Sequence, residues 1–170
     1  MTLMAIYTKI GDKGETRVFD PKTKKLVVVS KSSKKIETIG AIDELNSLLG
    51  VIGKYSDIQS DLFTINAILA GTKLSFGKIK TKRLEKEIDR LEKILPVQKN
   101  FIYYGGDPKA TFLFFARAVC RRAERSLVSL EIPDSGLQIL AYLNRLSDYL
   151  FIKAREINFE SNFKEKAWMS

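Results

Sequence analysis

Histidine is missing from all 170 residues of the sequence. Its absence removes imidazole acid–base chemistry, a His–Cys zinc centre and any imidazole ligand to a bound metal cofactor. Cysteine occurs once, as Cys120, so no internal disulfide can form and a reducing cytoplasm is the expected compartment. No charged start followed by a long apolar run has the form of a signal peptide or a membrane span. Acidic residues are in short supply, 20 against 29 basic ones, and the formal charge of +9 favours anionic partners. Nucleic acid, a phosphorylated small molecule and an anionic membrane all qualify, and charge alone does not choose among them.

What is present is enough apolar material, 45% of the chain, for one substantial core and one domain. No internal repeat, low-complexity tract or second domain is apparent. Residues 5 to 36 carry Gly11, Gly14 and Pro21 in a broken pattern of Thr, Lys and Val. They read as an extended, glycine-punctuated arm with a short strand at Leu26 to Ser30. From Glu37 the period changes: Ile39, Ile42, Leu45, Leu49 and Ile52 recur at three- and four-residue steps, the mark of a helix with one apolar face. Four more helices are expected. The second covers Ile58 to Leu74, with Leu62, Ile65, Ile68 and Leu69 as its stripe. The third covers Thr81 to Leu95, with Leu84, Ile88, Leu91 and Leu95 inward and Pro96 as its stop. The fourth runs from Pro108, with Asp107 as its cap, to Leu130, and the fifth starts after the Ile132-Pro133-Asp134-Ser135-Gly136 break and passes Arg155. The expected fold is therefore all-α, a five-helix bundle with a non-helical N-terminal arm.

The stretch RAVCRRAERSL, Arg117 to Leu127, places four arginines and one glutamate on the fourth helix. On a wheel with Arg117 at zero, Arg121 falls at about 40°, Glu124 at about −20°, Arg125 at about 80° and Arg122 at about 140°. Phe112, Ala116, Val119, Cys120, Ala123, Leu127 and Leu130 take the other side. Arg117, Arg121 and Glu124 thus share a ridge at the edge of the core face, where a charge persists if something pairs with it. One account is a solvated face with internal Arg–Glu pairs. The other is a phosphate clamp, because guanidinium forks grip phosphate oxygens in bidentate fashion.

Two asparagines, Asn46 and Asn144, sit within apolar stripes, and buried amides need partners: another helix, or a ligand amide, ribose or base. Asp43, beside the first stripe, is either a surface acid or the partner of an arginine on another helix or subunit. In the arm, TKIGDKGETR (Thr8 to Arg17) has two glycines that let the backbone turn its amides toward an anion, with Thr8, Lys9, Lys13 and Thr16 around them. The spacing is not that of a Walker loop. Phe101-Ile102-Tyr103-Tyr104-Gly105-Gly106 reads as a packed turn or as the wall of a site for a flat apolar ligand.

Six segments occur together and in order: YTKIGDKGET (7 to 16), ETIGAIDELNSLLG (37 to 50), DIQSDLFTINAILA (57 to 70), FIYYGGDP (101 to 108), ARAVCRRAERSLVSL (116 to 130) and YLNRLSDYLFIKAR (142 to 155). In this combination the sequence resembles the PduO-type ATP:corrinoid adenosyltransferases, the family that includes human methylmalonic aciduria type B protein. The resemblance implies transfer of the 5′-deoxyadenosyl group of ATP to Co(I) of cobalamin or a related corrinoid, with release of tripolyphosphate. It implies a single domain with a nucleotide-binding arm (1–36), an up-and-down, ferritin-like bundle (37–160) and a C-terminal tail (161–170). It also implies a homotrimer with ATP sites between subunits.

Carried over position by position, Thr8, Lys9, Gly11, Asp12, Lys13, Gly14 and Thr16 match the nucleotide-binding loop, and Lys31 a lysine that reaches the nucleotide. Arg121, Glu124 and Asn144 match ATP-site residues, with Arg122 and Arg125 in support. Asp43 and Arg117 match a pair bridging subunits beside the catalytic Arg121, and Phe101 matches the aromatic on the lower face of the corrin ring. Mg²⁺ is implied with ATP, and a flavin reductase and a B12-dependent mutase as protein partners; nucleic acid and membrane are not. The chain departs from the family at Lys31-Ser32-Ser33-Lys34-Lys35, where Lys-Asp-Asp-Pro-Arg is frequent, and at Ile10, Tyr104 and Phe114, where a small polar residue, a proline and a histidine are usual. A basic helical nucleic-acid binder and an inactive ATP-binding trimer are the competing readings of the same features.

Overall fold

The computed structural model describes residues 7, 9, 11–130 and 136–168. Five helices follow a β-hairpin: β1 (Glu15–Asp20), β2 (Lys25–Ser30), α1 (Lys34–Ile52), α2 (Ser56–Leu69), α3 (Ile79–Glu92), α4 (Pro108–Val128) and α5 (Gly136–Glu160). The expected all-α chain is thus corrected to a mostly helical one with a small antiparallel sheet, in which Glu15 pairs with Ser30 and Asp20 with Lys25. The expected strand at 26–30 is β2; its partner β1 lies in what reads as loop. Only Val18 of the ribbon is buried, with Thr16, Phe19, Asp20, Val27 and Val29 half-buried, so the ribbon has little core face to mark it in the sequence. Its turn is closed by Asp20, whose carboxylate accepts from Lys22 N at 2.9 Å and Thr23 Oγ1 at 2.9 Å.

All five expected helices are present, with shifted ends. α1 starts at Lys34 rather than Glu37, so the arm is shorter than 1–36, and α2 stops at Leu69, leaving Leu74 exposed. α4 begins as expected: Pro108 occupies the first turn, and Asp107 caps it by accepting from Lys109 N at 2.8 Å. The loop before α5 lies outside the described residues. α4 and α5 pack most closely; α1 lies against α4 and α2, and α3 against α5. The shared core includes Ile42, Leu45, Leu62, Ile65, Leu113, Leu127, Leu143 and Leu146, and a smaller cluster of Leu91, Leu95 and Ile152 seats α3.

Inside this apolar packing sits one acid the sequence pattern does not flag. Asp61 on α2 is 2% exposed, receives Tyr142 Oη from α5 at 2.9 Å and Arg83 Nη2 from α3 at 2.7 Å, and pairs with Lys80. A buried carboxylate with three donors is satisfied, and it fixes how α2, α3 and α5 meet.

Among the described residues, one backbone hydrogen bond ties the hairpin to the end of α2. Phe19 N donates to Ala70 O at 3.0 Å, and Gly71, at φ +107°, lets the end of α2 come so close that an added Cβ would lie 2.0 Å from Phe19 O. A similar approach occurs before α4. Gly106 (φ +111°) abuts the buried Asn158 of α5, whose Oδ1 accepts from Asp107 N at 3.0 Å and whose Nδ2 donates to Gly105 O at 2.9 Å. The segment feeding α4 is therefore templated by α5.

Candidate active site

The glycine arm and Lys31 lie together. β2 delivers Lys31 beside the loop, where its N donates to Gly14 O at 2.8 Å and its Nζ to Gly11 O at 2.9 Å. Gly14 takes φ +80° and Lys9 φ +59°, left-handed conformations, and Asp12 N and Gly14 N close local turns by donating to Lys9 O at 3.4 Å and Gly11 O at 3.2 Å. Lys9, Asp12, Lys13 and Gly14 are exposed, Gly11 and Thr16 half-buried. Thr8 and Ile10 lie outside the described residues.

On α4 the arginines part company. Arg117 is half-buried, with Nη1 donating to Tyr104 Oη at 3.2 Å and its guanidinium 5.7 Å from the Tyr104 ring and 5.4 Å from that of Phe151. Arg122 pairs with Glu44 of α1. Arg121 and Arg125 are exposed, and among the described residues neither has a carboxylate within ion-pair distance. The internal Arg–Glu pairs that a merely solvated face would show are missing from α4. Glu124 instead accepts from Asn144 Nδ2 of α5 at 2.9 Å, which joins two of the expected ATP-site residues.

Three expectations need correction. Asn144 is exposed rather than core, because its position on α5 lies just beyond the buried edge marked by Leu143 and Ser147. Phe112 is 44% exposed and leaves the core face to Leu113 and Phe114. Asn46 is buried, yet the bond from α2 runs from Gln59 Nε2 to its backbone carbonyl, and among the described residues its own Oδ1 has no partner. Asp43 is exposed on α1, and within one chain it makes no ion pair with Arg117.

Beside Arg117 opens a cavity of about 1170 Å³ whose wall includes Phe101, Tyr104, Arg117, Phe151, Arg155 and Trp168. It is large enough for a ligand of cofactor size. Tyr104 and Phe114, two of the departures from the family pattern, stack on each other with centroids 4.8 Å apart, and Phe151 closes the cluster at 5.8 Å from Phe114. Phe101 projects at the mouth, 75% exposed. The thiol of Cys120 contributes nothing here: it is fully buried, donates to Leu143 O at 3.3 Å, and burial pushes its ionisation far above the ordinary thiol range.

The arrangement offers a cationic, glycine-lined arm, a guanidinium face next to an Asn–Glu pair, and an aromatic-walled cavity beside that face. No hydrogen bond or ion pair joins the arm to α4 among the described residues. A family model described as cobalamin adenosyltransferase matches residues 6–157. The corrinoid adenosyltransferase of Bacillus subtilis is 38% identical over 93% of this chain and 89% of its own length, and human corrinoid adenosyltransferase MMAB is 32% identical over 96% and 73%. A variant of the PduO-type ATP:corrinoid adenosyltransferase from Lactobacillus reuteri, solved with cobalamin and ATP, superposes with a TM-score of 0.87 at 31% identity, covering 98% of this chain and 100% of that one. With fold, order of elements and sequence agreeing along nearly the whole length, the chain belongs to the cobalamin adenosyltransferase family.

Proposed function

We propose that this protein transfers the 5′-deoxyadenosyl group of ATP to the Co(I) of cobalamin or a related corrinoid. Cobalt supplies the electron pair, attacks C5′ and forms the Co–C bond; the C5′–O bond breaks and its electrons leave on tripolyphosphate. The nucleophile is the substrate's own metal, so no protein base is required, and a chain without histidine is equipped for the task. What the protein supplies is alignment at C5′ and positive charge for a leaving group that grows more negative as the bond breaks.

The observation that carries this reading is the pair of exposed, carboxylate-free guanidiniums, Arg121 and Arg125, beside the Glu124–Asn144 bond and next to the aromatic cavity. Arg121 steadies the phosphate charge, with Arg125 in support, while Glu124 and Asn144 hold the nucleoside. Thr8, Lys9, Gly11, Asp12, Lys13, Gly14, Thr16 and Lys31 wrap the triphosphate. Mg²⁺ in nucleotide sites is held mainly by phosphate oxygens and water, with one or two carboxylates at most, so it arrives with ATP and needs no dedicated cage.

Phe101 lies against the lower face of the corrin, where it excludes water and the corrinoid's own base. Cobalt is then left without a lower ligand and is easier to reduce. The arm and the guanidinium face do not meet within one chain, and Phe112 and Phe115 leave apolar surface uncovered on α4. Both features fit a homotrimer in which one subunit's arm closes over its neighbour's α4, with Asp43 and Arg117 bridging the two. The whole chain acts as one domain of ferritin-like, up-and-down topology. A reducing cytoplasm suits its single thiol, and a flavin reductase and a B12-dependent mutase suit its substrate and product.

The test is an anaerobic assay with chemically reduced cobalamin, ATP and Mg²⁺, following Co–C bond formation by absorbance. Arg121→Ala should lower turnover by roughly a hundredfold, the scale for losing one preorganised donor to a developing anion. Turnover like that of the unmodified protein would remove Arg121 from this role.

A further inference from the structure

The side chain of Phe101 is 75% exposed, so packing does not hold it in place. Its backbone does. After α5, Asn162 takes φ +57° and Phe163 N returns to Asn158 O at 2.8 Å, which reverses the chain. The returning segment then pairs antiparallel with the aromatic loop: Ile102 faces Ala167, Trp168 N donates to Phe101 O at 2.7 Å, and Tyr103 N donates to Lys166 O at 3.0 Å. An ion pair anchors the start of this segment. Arg155 Nε meets Glu165 Oε2 at 3.0 Å, with side chains only 10% and 19% exposed, and Arg155 Nη2 also reaches Pro96 O at 2.9 Å. Trp168 ends the segment on the cavity wall, on the same rim as Phe101.

We propose that residues 165–168 form a strap that positions Phe101 on the cavity and completes the wall with the Trp168 indole, making Trp168 and Glu165 positioning residues for the corrinoid. The inference rests on the corrinoid reading of the cavity. One arginine joins the strap to Pro96 at the beginning of the 96–107 segment, and Asn158 holds the far end of that segment at Gly105 and Asp107. Between these two anchors Ile102 packs against the core and Tyr104 stacks on Phe114, while Phe101 itself is held by the strap's backbone bond to its carbonyl. Loosening the strap leaves the ring present but unplaced, which weakens exclusion of the lower ligand without touching the phosphate clamp.

Trp168→Pro removes the N–H that holds Phe101 O together with the indole, whereas Trp168→Ala removes the indole alone. The strap predicts a corrinoid KM raised roughly tenfold in Trp168→Pro, the scale of one lost hydrogen bond plus a lost ring contact, and by less in Trp168→Ala. The ATP KM should stay within about twofold, because among the described residues no hydrogen bond or ion pair joins the strap to the arm or to the Glu124–Asn144 pair. The absorption spectrum of Co(II)-cobalamin with ATP should show less of the form lacking a lower ligand in both variants, and Glu165→Gln should follow the same direction. A Trp168→Pro protein with unchanged corrinoid KM and unchanged Co(II) spectrum overturns the strap, and so does an equal rise in both KM values, which would mark general loss of structure. Phe101→Ala separates the two layers: if it too leaves corrinoid KM and spectrum unchanged, the corrinoid reading of the cavity falls as well. If Phe101→Ala is impaired and Trp168→Pro is not, the strap alone is wrong.

Discussion

Asn158 gives the sharpest stability test. Its amide is 1% exposed, accepts from Asp107 N at 3.0 Å and donates to Gly105 O at 2.9 Å, so Asn158→Ala removes two bonds to a turn that feeds α4. At about 1 kcal/mol net per bond, plus the space left behind, the expected loss is roughly 2–3 kcal/mol. For a chain of this length that lowers the melting temperature by about 5–10 °C. The same geometry predicts a coupling. In Gly106→Ala the new Cβ meets Asn158 Oδ1 at 2.1 Å and Phe163 Cδ1 at 2.8 Å, on a backbone at φ +111°. Removing the Asn158 amide relieves the first collision and leaves the other costs, so Gly106→Ala should be less destabilising in the Asn158→Ala background by about 1–2 kcal/mol. Urea unfolding of the two single variants and the double variant measures this. Additivity within about 0.5 kcal/mol would refute the packing described here.

At the hairpin, Gly71→Ala places a Cβ 2.0 Å from Phe19 O and should undock the arm, raising the ATP KM and exposing residues 15–30 to limited proteolysis at a cost of roughly 2 kcal/mol or more; an unchanged digestion pattern counts against it. Cys120, buried and bonded to Leu143 O, should resist Ellman's reagent in the native protein and react as one thiol in denaturant, and rapid native labelling would contradict its burial. Burial raises the ionisation of Tyr55, Tyr142 and Tyr149, the last to about 12. Above pH ~10 the unfolded chain releases those protons first, so it binds fewer than the folded one and stability must fall as pH rises from about 10 to 12. A urea midpoint that stays flat or rises across that window would reverse the sign.

The helices are legible because each buries a stripe, and a stripe is a local property of sequence: Leu84, Leu91 and Leu95 are buried where their period puts them. Asp107-Pro108 marks the start of α4 for an equally local reason. Local signals fail at the edges of a stripe. Phe112 and Asn144 sit where a wheel cannot tell core from rim, and the neighbouring helix decides. They also fail for polar groups satisfied at long range. Nothing near Asp61 in sequence announces Tyr142, and nothing near Phe101 announces Trp168. β1 escaped because one face of the ribbon is nearly unburied; the Asp20 turn, whose carboxylate holds Lys22 N and Thr23 Oγ1, is the signal that could have found it.

The same distinction explains the arginine helix. Four guanidiniums and one carboxylate within eleven residues would neutralise one another in part if Glu124 turned along its own helix to Arg121, three positions away. The structure prevents this by giving Glu124 a different partner, the Asn144 amide on α5. Arg122 is taken by Glu44, and Arg117 is held over Tyr104 and Phe151. Arg121 and Arg125 remain exposed, and an incoming phosphate group can bind them without first breaking an ion pair. An amide is the right choice for Glu124 because it binds the carboxylate by hydrogen bonding and adds no charge. A lysine at position 144 would hold Glu124 equally well but add a positive charge that binds the carboxylate more tightly, leaving it less able to accept from a ligand. The neutral partner keeps the acid oriented and the arginines apart from it, and under the proposed function this leaves both available to a substrate that carries phosphate at one end and hydroxyl donors at the other.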